Sequence, residues 1–290
     1  MQELHIEANG LRFRCLAAGP EGGPLALLLH GFPEGAESWS FQLEALAAHG
    51  LRAVAPDLRG YGGTACPPDE EAYRMSELVE DVAALIRNLG ASTCHLAGHD
   101  WGSLVGWSVT SRHPELVGTW SALSVGHPAA LSKAMREDED QRRRSSYIGL
   151  FRERGKAEEV LQADGYRRLR DIYRTGPSPE AIPAGVVESY VRDFSRPGRL
   201  TAALNYYRVN LRREGPPMAE AGLTTPTQLL WGDQDPAVGR TSAELTATFV
   251  AGDYRLVVLE GAGHWLQFER PEEVSRLLVE WIRSHAQPVE

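Results

Sequence analysis

A chain of 290 residues, 42% hydrophobic and 24% charged, is long enough to bury a large core and to carry a second subdomain. Its net charge of -9, from 30 basic and 39 acidic residues, gives no concentrated basic surface for nucleic acid or anionic lipid, so small molecules are the simplest ligands. No apolar run reaches transmembrane length, and the three cysteines (Cys15, Cys66, Cys94) are odd in number without Cys-x-x-Cys spacing; the expectation is a reducing, cytoplasmic setting with no membrane partner, disulfide framework or thiolate metal site.

The N-terminal MQELHIEANGLRFRC alternates polar and apolar residues about Asn9-Gly10, which predicts a hairpin and not the apolar stretch of a signal peptide. Short apolar runs ending in turn residues follow at Leu25 to Leu29, Arg52 to Ala55, Thr93 to Ala97, Thr119 to Val125, Thr227 to Trp231 and Arg255 to Leu259. They predict buried parallel strands. Helical periodicity lies between them, as at Glu77 to Leu89 and Val274 to Ile282, so the alternation predicts an α/β fold with a mostly parallel central sheet flanked by helices.

From about Pro128 to Gly222 the alternation stops. Charged helical patterns broken by TGPSPEAIPAG, SRPGR and EGPP predict a helical insertion over residues 128–222, between core segments 1–127 and 223–290. Such an insertion suits a lid, because ligands of open α/β sheets bind outside the carboxyl ends of the strands. Its charge run REDEDQRRR reads as a solvated helix surface.

LAGHDWGS, Leu96 to Ser103, has the outline of a nucleophile elbow, with Gly98 and Gly102 in the small-residue positions of G-x-S-x-G and Asp100 in place of serine. The turn would lift the Asp100 carboxylate above the sheet, near the positive end of the following helix; the plain alternative is an N-cap aspartate. LLWGDQDP places Asp233 and Asp235 just after a predicted strand, and LEGAGHW places His264 in the loop after the next one. The chain order of nucleophile, acid and histidine is that of an α/β-hydrolase triad, and spacing alone does not choose between Asp233 and Asp235.

LLLHGFPEG ends a strand at His30-Gly31-Phe32-Pro33, whose backbone N–H groups, chiefly that of Phe32, would join that of Trp101 as an oxyanion hole. PDLRGYGGT lacks the Gly-Lys-Ser/Thr ending of a phosphate loop and reads as another strand-end turn. His95 and His99, four apart, straddle a strand and a turn without the glutamate of H-E-x-x-H, so no metal is expected.

The aspartate selects the chemistry. Serine attacking a saturated carbon would leave an ether, with no carbonyl for water to attack. A carboxylate makes an alkyl ester that is hydrolysed at its own carbonyl, so Asp100 points to C–O or C–halogen bonds. His264 would then activate water, and the acid would fix its tautomer. An opening epoxide benefits from a phenol, and the insertion offers Tyr147 in RRRSSYIGLF and Tyr207 in ALNYYRVN, with Tyr206 beside it as a packing residue.

With HGFPE, RGYG, GHDWGS, NYYR and GHW in order, the sequence resembles an epoxide hydrolase of the α/β-hydrolase superfamily over nearly its whole length. The resemblance implies the α/β-hydrolase fold, Asp100 as nucleophile, His264 as base, Asp235 as its charge partner, and Tyr147 and Tyr207 as the pair that protonates the epoxide oxygen. It implies no cofactor, only a small-molecule epoxide and water, while an exposed insertion surface would allow a homodimer. One departure follows Tyr147: the family often has Phe-Gln where this chain has Phe151-Arg152. Haloalkane dehalogenases share the aspartate and commonly the following tryptophan, and fluoroacetate-type dehalogenases resemble HGFPE and RGYG but usually carry arginine at the place of Trp101. Tyr207 is the best discriminator. A haloalkane dehalogenase and a non-catalytic ligand-binding protein are the alternative readings.

Overall fold

The computed structural model describes residues 1–211 and 218–285. An eight-stranded sheet is ordered β1-β2-β4-β3-β5-β6-β7-β8, from β1 (Gln2–Ala8), β2 (Leu11–Ala18), β3 (Leu25–Leu29), β4 (Arg52–Pro56), β5 (Cys94–His99), β6 (Val117–Leu123), β7 (Thr227–Gly232) and β8 (Tyr254–Leu259). The β1/β2 and β2/β4 pairs are antiparallel and all the others parallel, so the sheet is mostly parallel. Asn9 and Gly10 both take positive φ, 47° and 73°, as the expected hairpin turn requires.

The strand alternation divides the core. Leu25, Leu27 and Leu29 of β3 pack into one cluster, with Val79, Val82 and Ile86 of α2 (Met75–Asn88) and Val105 and Val109 of α3 (Trp101–Arg112). Ala26 and Leu28 pack into the other, with Leu43 and Leu46 of α1 (Ser40–Ala48). Helices therefore cover both faces, which is why the strands read as continuous apolar runs.

Between β6 and β7 the chain forms α4 (Pro128–Glu137), α5 (Glu139–Arg144), α6 (Tyr147–Arg152), α7 (Lys156–Ile172), α8 (Ala184–Phe194) and α9 (Arg199–Asn210). Non-helical dihedrals at Ala163, Asp164, Gly165 and Tyr166 interrupt α7. TGPSPEAIPAG and SRPGR fall at the α7–α8 and α8–α9 breaks, whereas EGPP lies outside the described residues. The charge run is not wholly solvated: Gln141 is buried against the turn after β7, where its side chain donates to the Ala237 carbonyl at 2.9 Å and accepts from Gly239 N–H at 2.8 Å.

The insertion is tied to the sheet edge. Tyr206 donates to the Arg59 carbonyl at 2.8 Å, Arg199 to the Thr64 carbonyl at 2.6 Å, and Tyr173 to the Pro33 carbonyl. The chain completes its core after β7 with α10 (Arg240–Leu245) and after β8 with α11 (Leu266–Glu269) and α12 (Pro271–His285), whose Leu277, Leu278 and Ile282 line the second cluster. Among the described residues no helix is long and apolar enough to cross a membrane.

Candidate active site

β5 ends at His99 and α3 starts at Trp101, leaving Asp100 alone in the turn with φ 50° and ψ -115°. A non-glycine residue holds this conformation only where its surroundings fix it. They do so by close packing. A Cβ on Gly98 would lie 2.3 Å from the Gly102 carbonyl oxygen, and one on Gly102 would lie 2.1 Å from that of Leu29. The Asp100 side chain does not cap α3, so the N-cap alternative fails on geometry. Its Oδ1 instead accepts the Phe32 N–H at 2.8 Å. Gly31 must be glycine for this approach, since a Cβ there would sit 2.3 Å from the Asp100 Cβ.

His264 follows β8, with Nε2 3.7 Å from Asp100 Oδ2 and Nδ1 2.8 Å from Asp235 Oδ2. The other Asp235 oxygen accepts from Ala237 N–H at 2.7 Å and Val238 N–H at 3.0 Å, which locks the carboxylate. Asp233, the rival acid, instead accepts from Gly261 N–H at 2.8 Å, tying the β7 loop to the β8 loop. Asp235, not Asp233, is therefore the carboxylate on the histidine.

Burial alone would suppress the charge on His264, but Asp235 and Asp100 together hold its pKa well above that of a free histidine. Burial likewise opposes ionisation of Asp100; hydrogen bonding and attraction from His264 overcome it and leave its pKa below the usual carboxylate value. Each group therefore favours the charged form of the other.

Tyr147 of α6 and Tyr207 of α9 share with Asp100 and His264 one cavity of about 470 Å³. Its walls are largely apolar, including Leu150, Phe151, Leu161, Ile172 and Trp265. The two phenol rings lie 6.3 Å apart, and Phe151 packs edge-on against both, at 5.2 and 5.1 Å. Burial, reinforced by the Asp100 charge, pushes both phenols above their ordinary pKa, so both keep their protons at neutral pH. Of the two N–H groups expected as an oxyanion hole, that of Phe32 bonds Asp100, and that of Trp101 opens α3 directly behind it.

The α/β hydrolase fold family matches residues 24–271. Epoxide hydrolase A of Mycobacterium tuberculosis is 35% identical across 97% of each chain, and human epoxide hydrolase 4 is 34% identical across 97% of this chain and 78% of the relative. Among solved structures, epoxide hydrolase A from Mycobacterium thermoresistibile superposes with a TM-score of 0.84 at 33% identity, covering 98% of this chain and 99% of that one. The Bacillus megaterium epoxide hydrolase, solved with an inhibitor, gives 0.88 at 30% identity, covering 97% and 100%. The chain belongs to the epoxide hydrolases of the α/β-hydrolase superfamily.

In this epoxide hydrolase family member, one supporting group escaped the sequence. His99 is fully buried; its Nε2 bonds the His264 carbonyl at 2.8 Å, and its Nδ1 lies 2.8 Å from Glu34, which also accepts from Gln267 at 2.9 Å. Ser124 donates to the same His264 carbonyl at 2.8 Å. These groups fix the backbone of the histidine loop. Glu34 lies in the quoted HGFPE, but 65 residues separate it from His99, and nothing local announces the pairing. His95 bonds Thr119 at 3.0 Å, so the two histidines serve different partners. Among the described residues no group of three histidine, cysteine or acidic side chains could hold a metal ion.

Proposed function

We propose that the protein hydrolyses epoxides to vicinal diols through a covalent alkyl ester on Asp100. The observation that carries this reading is the Asp100 carboxylate at the end of β5, which does not cap α3, lies 3.7 Å from His264 Nε2 and shares one largely apolar cavity with the phenols of Tyr147 and Tyr207.

In the first step an Asp100 oxygen attacks a ring carbon, the C–O bond breaks, and Tyr147 or Tyr207 gives its proton to the leaving oxygen. Esterification removes the Asp100 charge, and with it one of the two carboxylates that hold the His264 proton. His264 then passes that proton to the tyrosinate left by ring opening, restoring the phenol, and becomes a base, while Asp235 keeps Nδ1 as the protonated nitrogen.

In the second step His264 Nε2 takes a proton from water as the oxygen attacks the Asp100 carbonyl carbon. The Phe32 and Trp101 N–H groups hold the resulting oxyanion, each such donor being worth about 3 kcal/mol. Collapse expels the alkoxide, which takes the remaining water proton from the regenerated Asp100 carboxyl to become the diol, and the proton taken by His264 restores the resting imidazolium. No cofactor enters the cycle. Residues 128–222 form the cap domain in this reading, closing the cavity and carrying the proton donors.

A halide leaving group would need free N–H donors. An opening epoxide instead takes a proton, and the two phenols that share the cavity with Asp100, Tyr147 and Tyr207, favour that reading over a haloalkane dehalogenase. The test is a single turnover of styrene oxide in 18O-labelled water. Label is expected first in the Asp100 carboxylate, and its appearance in the diol in that turnover would refute the ester.

A further inference from the structure

A second cavity, of about 10 Å³, lies between the turns after β3 and β4 and helices α8 and α9. It shares no lining residue with the large cavity. Its inner end has Glu34 and Tyr61, both buried, and Tyr190 of α8 lies alongside; half-buried Asp193 and Arg199 form the outer end. The hydroxyls of Tyr61 and Tyr190 are both buried and find no hydrogen-bond partner among the described residues. Each such orphan costs about 1–3 kcal/mol unless it is satisfied. A cavity of this size takes about one water molecule, which needs two to four polar partners, and two phenols with a carboxylate supply them.

The position connects to the reaction. Glu34 lines the small cavity and bonds His99, and His99 bonds the carbonyl of His264. On the proposed ester mechanism each turnover consumes one water in its second step. At that moment the alkyl group lies in the large cavity, beside a wall that includes Leu150, Phe151, Leu161 and Ile172.

We propose that the small cavity holds one ordered water, bridged by Tyr61, Tyr190 and Glu34, and is a rear port that replenishes the hydrolytic water while the alkyl-enzyme occupies the substrate pocket. This rests on the ester reading of Asp100. The ligand is water itself, so no bond is made or broken in the port. Tyr61 and Tyr190 act as positioning residues.

The test separates the two half-reactions. Rapid-quench intact-mass spectrometry with styrene oxide follows formation and decay of the adduct on the full chain, for wild type, Tyr61→Phe, Tyr190→Phe and the double variant. The expected result is unchanged adduct formation, adduct decay slowed about tenfold in the double variant, the equivalent of one lost hydrogen bond, and a larger steady-state adduct fraction. Asp193→Leu, which narrows the outer end without touching either phenol, is expected to slow decay alone, and serves if the tyrosine variants fold poorly. A high-resolution crystal structure of the resting enzyme is expected to show one water within hydrogen-bonding distance of both hydroxyls. Unchanged decay, equal slowing of both steps, or a cavity without that water would overturn the port. If wild type makes diol without ever carrying an adduct, the ester reading fails instead, and the two failures are distinguishable.

Discussion

The sheet edge and the insertion solve different problems. Asp100, Asp235 and His264 sit on strand-end turns and are each nearly sealed from solvent, locked by backbone N–H groups and by the His99–Glu34 support. Tyr147 and Tyr207 sit on helices of the insertion, held by aromatic edges. Charges that must meet within an ångström belong on a rigid scaffold, whereas a proton donor that must reach differently shaped substrates can ride on a helix that packs over it. Removing groups from the first region should therefore stop a chemical step, and removing groups from the second should slow it by degrees.

The largest effect is expected for Asp100→Ala, which removes the proposed nucleophile. Diol formation should fall by at least about 10⁴-fold, with no adduct in the intact mass. His264→Gln should lower turnover by about 10³-fold while leaving adduct formation intact, so a stable mass increase of one substrate appears. If both variants lost the adduct equally, His264 would belong to the first step.

Tyr147→Phe and Tyr207→Phe should each cost about tenfold, since the other phenol remains, and the double variant about 10²- to 10³-fold, all in adduct formation. A double variant no slower than the singles would break the contrast between shared donors and a unique nucleophile.

pH sharpens the same comparison. Asp100 has a lowered pKa, so it stays ionised as pH falls and adduct formation persists into acid. In the ester His264 faces Asp235 alone, so protonation in acid removes the base and slows hydrolysis first. Adduct should accumulate on acidification, read as intact mass against pH. In stability the signs oppose: the Asp100 contribution is lost as pH falls through its lowered folded value, and the His264 contribution as pH rises through its raised one. Asp100→Asn should remove the acid-side loss in thermal melts.

Much of this architecture is legible locally. Each apolar run of the core became a strand because both faces of a parallel sheet are buried. Boundaries moved where the turn chemistry decides: β6 stops at Leu123 because Ser124 turns to φ 64°, and β5 runs on to His99 because Gly98 packs under the elbow. Helix α1 gave no clear period, since its buried residues Gln42, Leu43 and Leu46 include a polar one. The elbow, the histidine and the acids could be marked from turn position, but only the folded register shows Asp235 on Nδ1 and Asp233 on a neighbouring loop. Contacts across long separations, such as Glu34 with His99, leave no periodic trace.

The smallest expected effect tests whether adjacency in sequence means anything at the site. Tyr206 and Tyr207 are neighbours on α9, yet about 100° of helical rotation sends them apart. Tyr206 packs against Tyr61 and Tyr73 and bonds the Arg59 carbonyl, while Tyr207 faces Phe32 and the large cavity. Tyr206→Phe should therefore cost about 1 kcal/mol of stability, a fall of about 2 °C in Tm, with adduct formation and decay unchanged. Tyr207→Phe should do the reverse, slowing adduct formation with little change in Tm. If Tyr206→Phe slowed the chemistry as much as Tyr207→Phe, the helix would be acting as one unit, and proton donation could no longer be assigned to a single face of it.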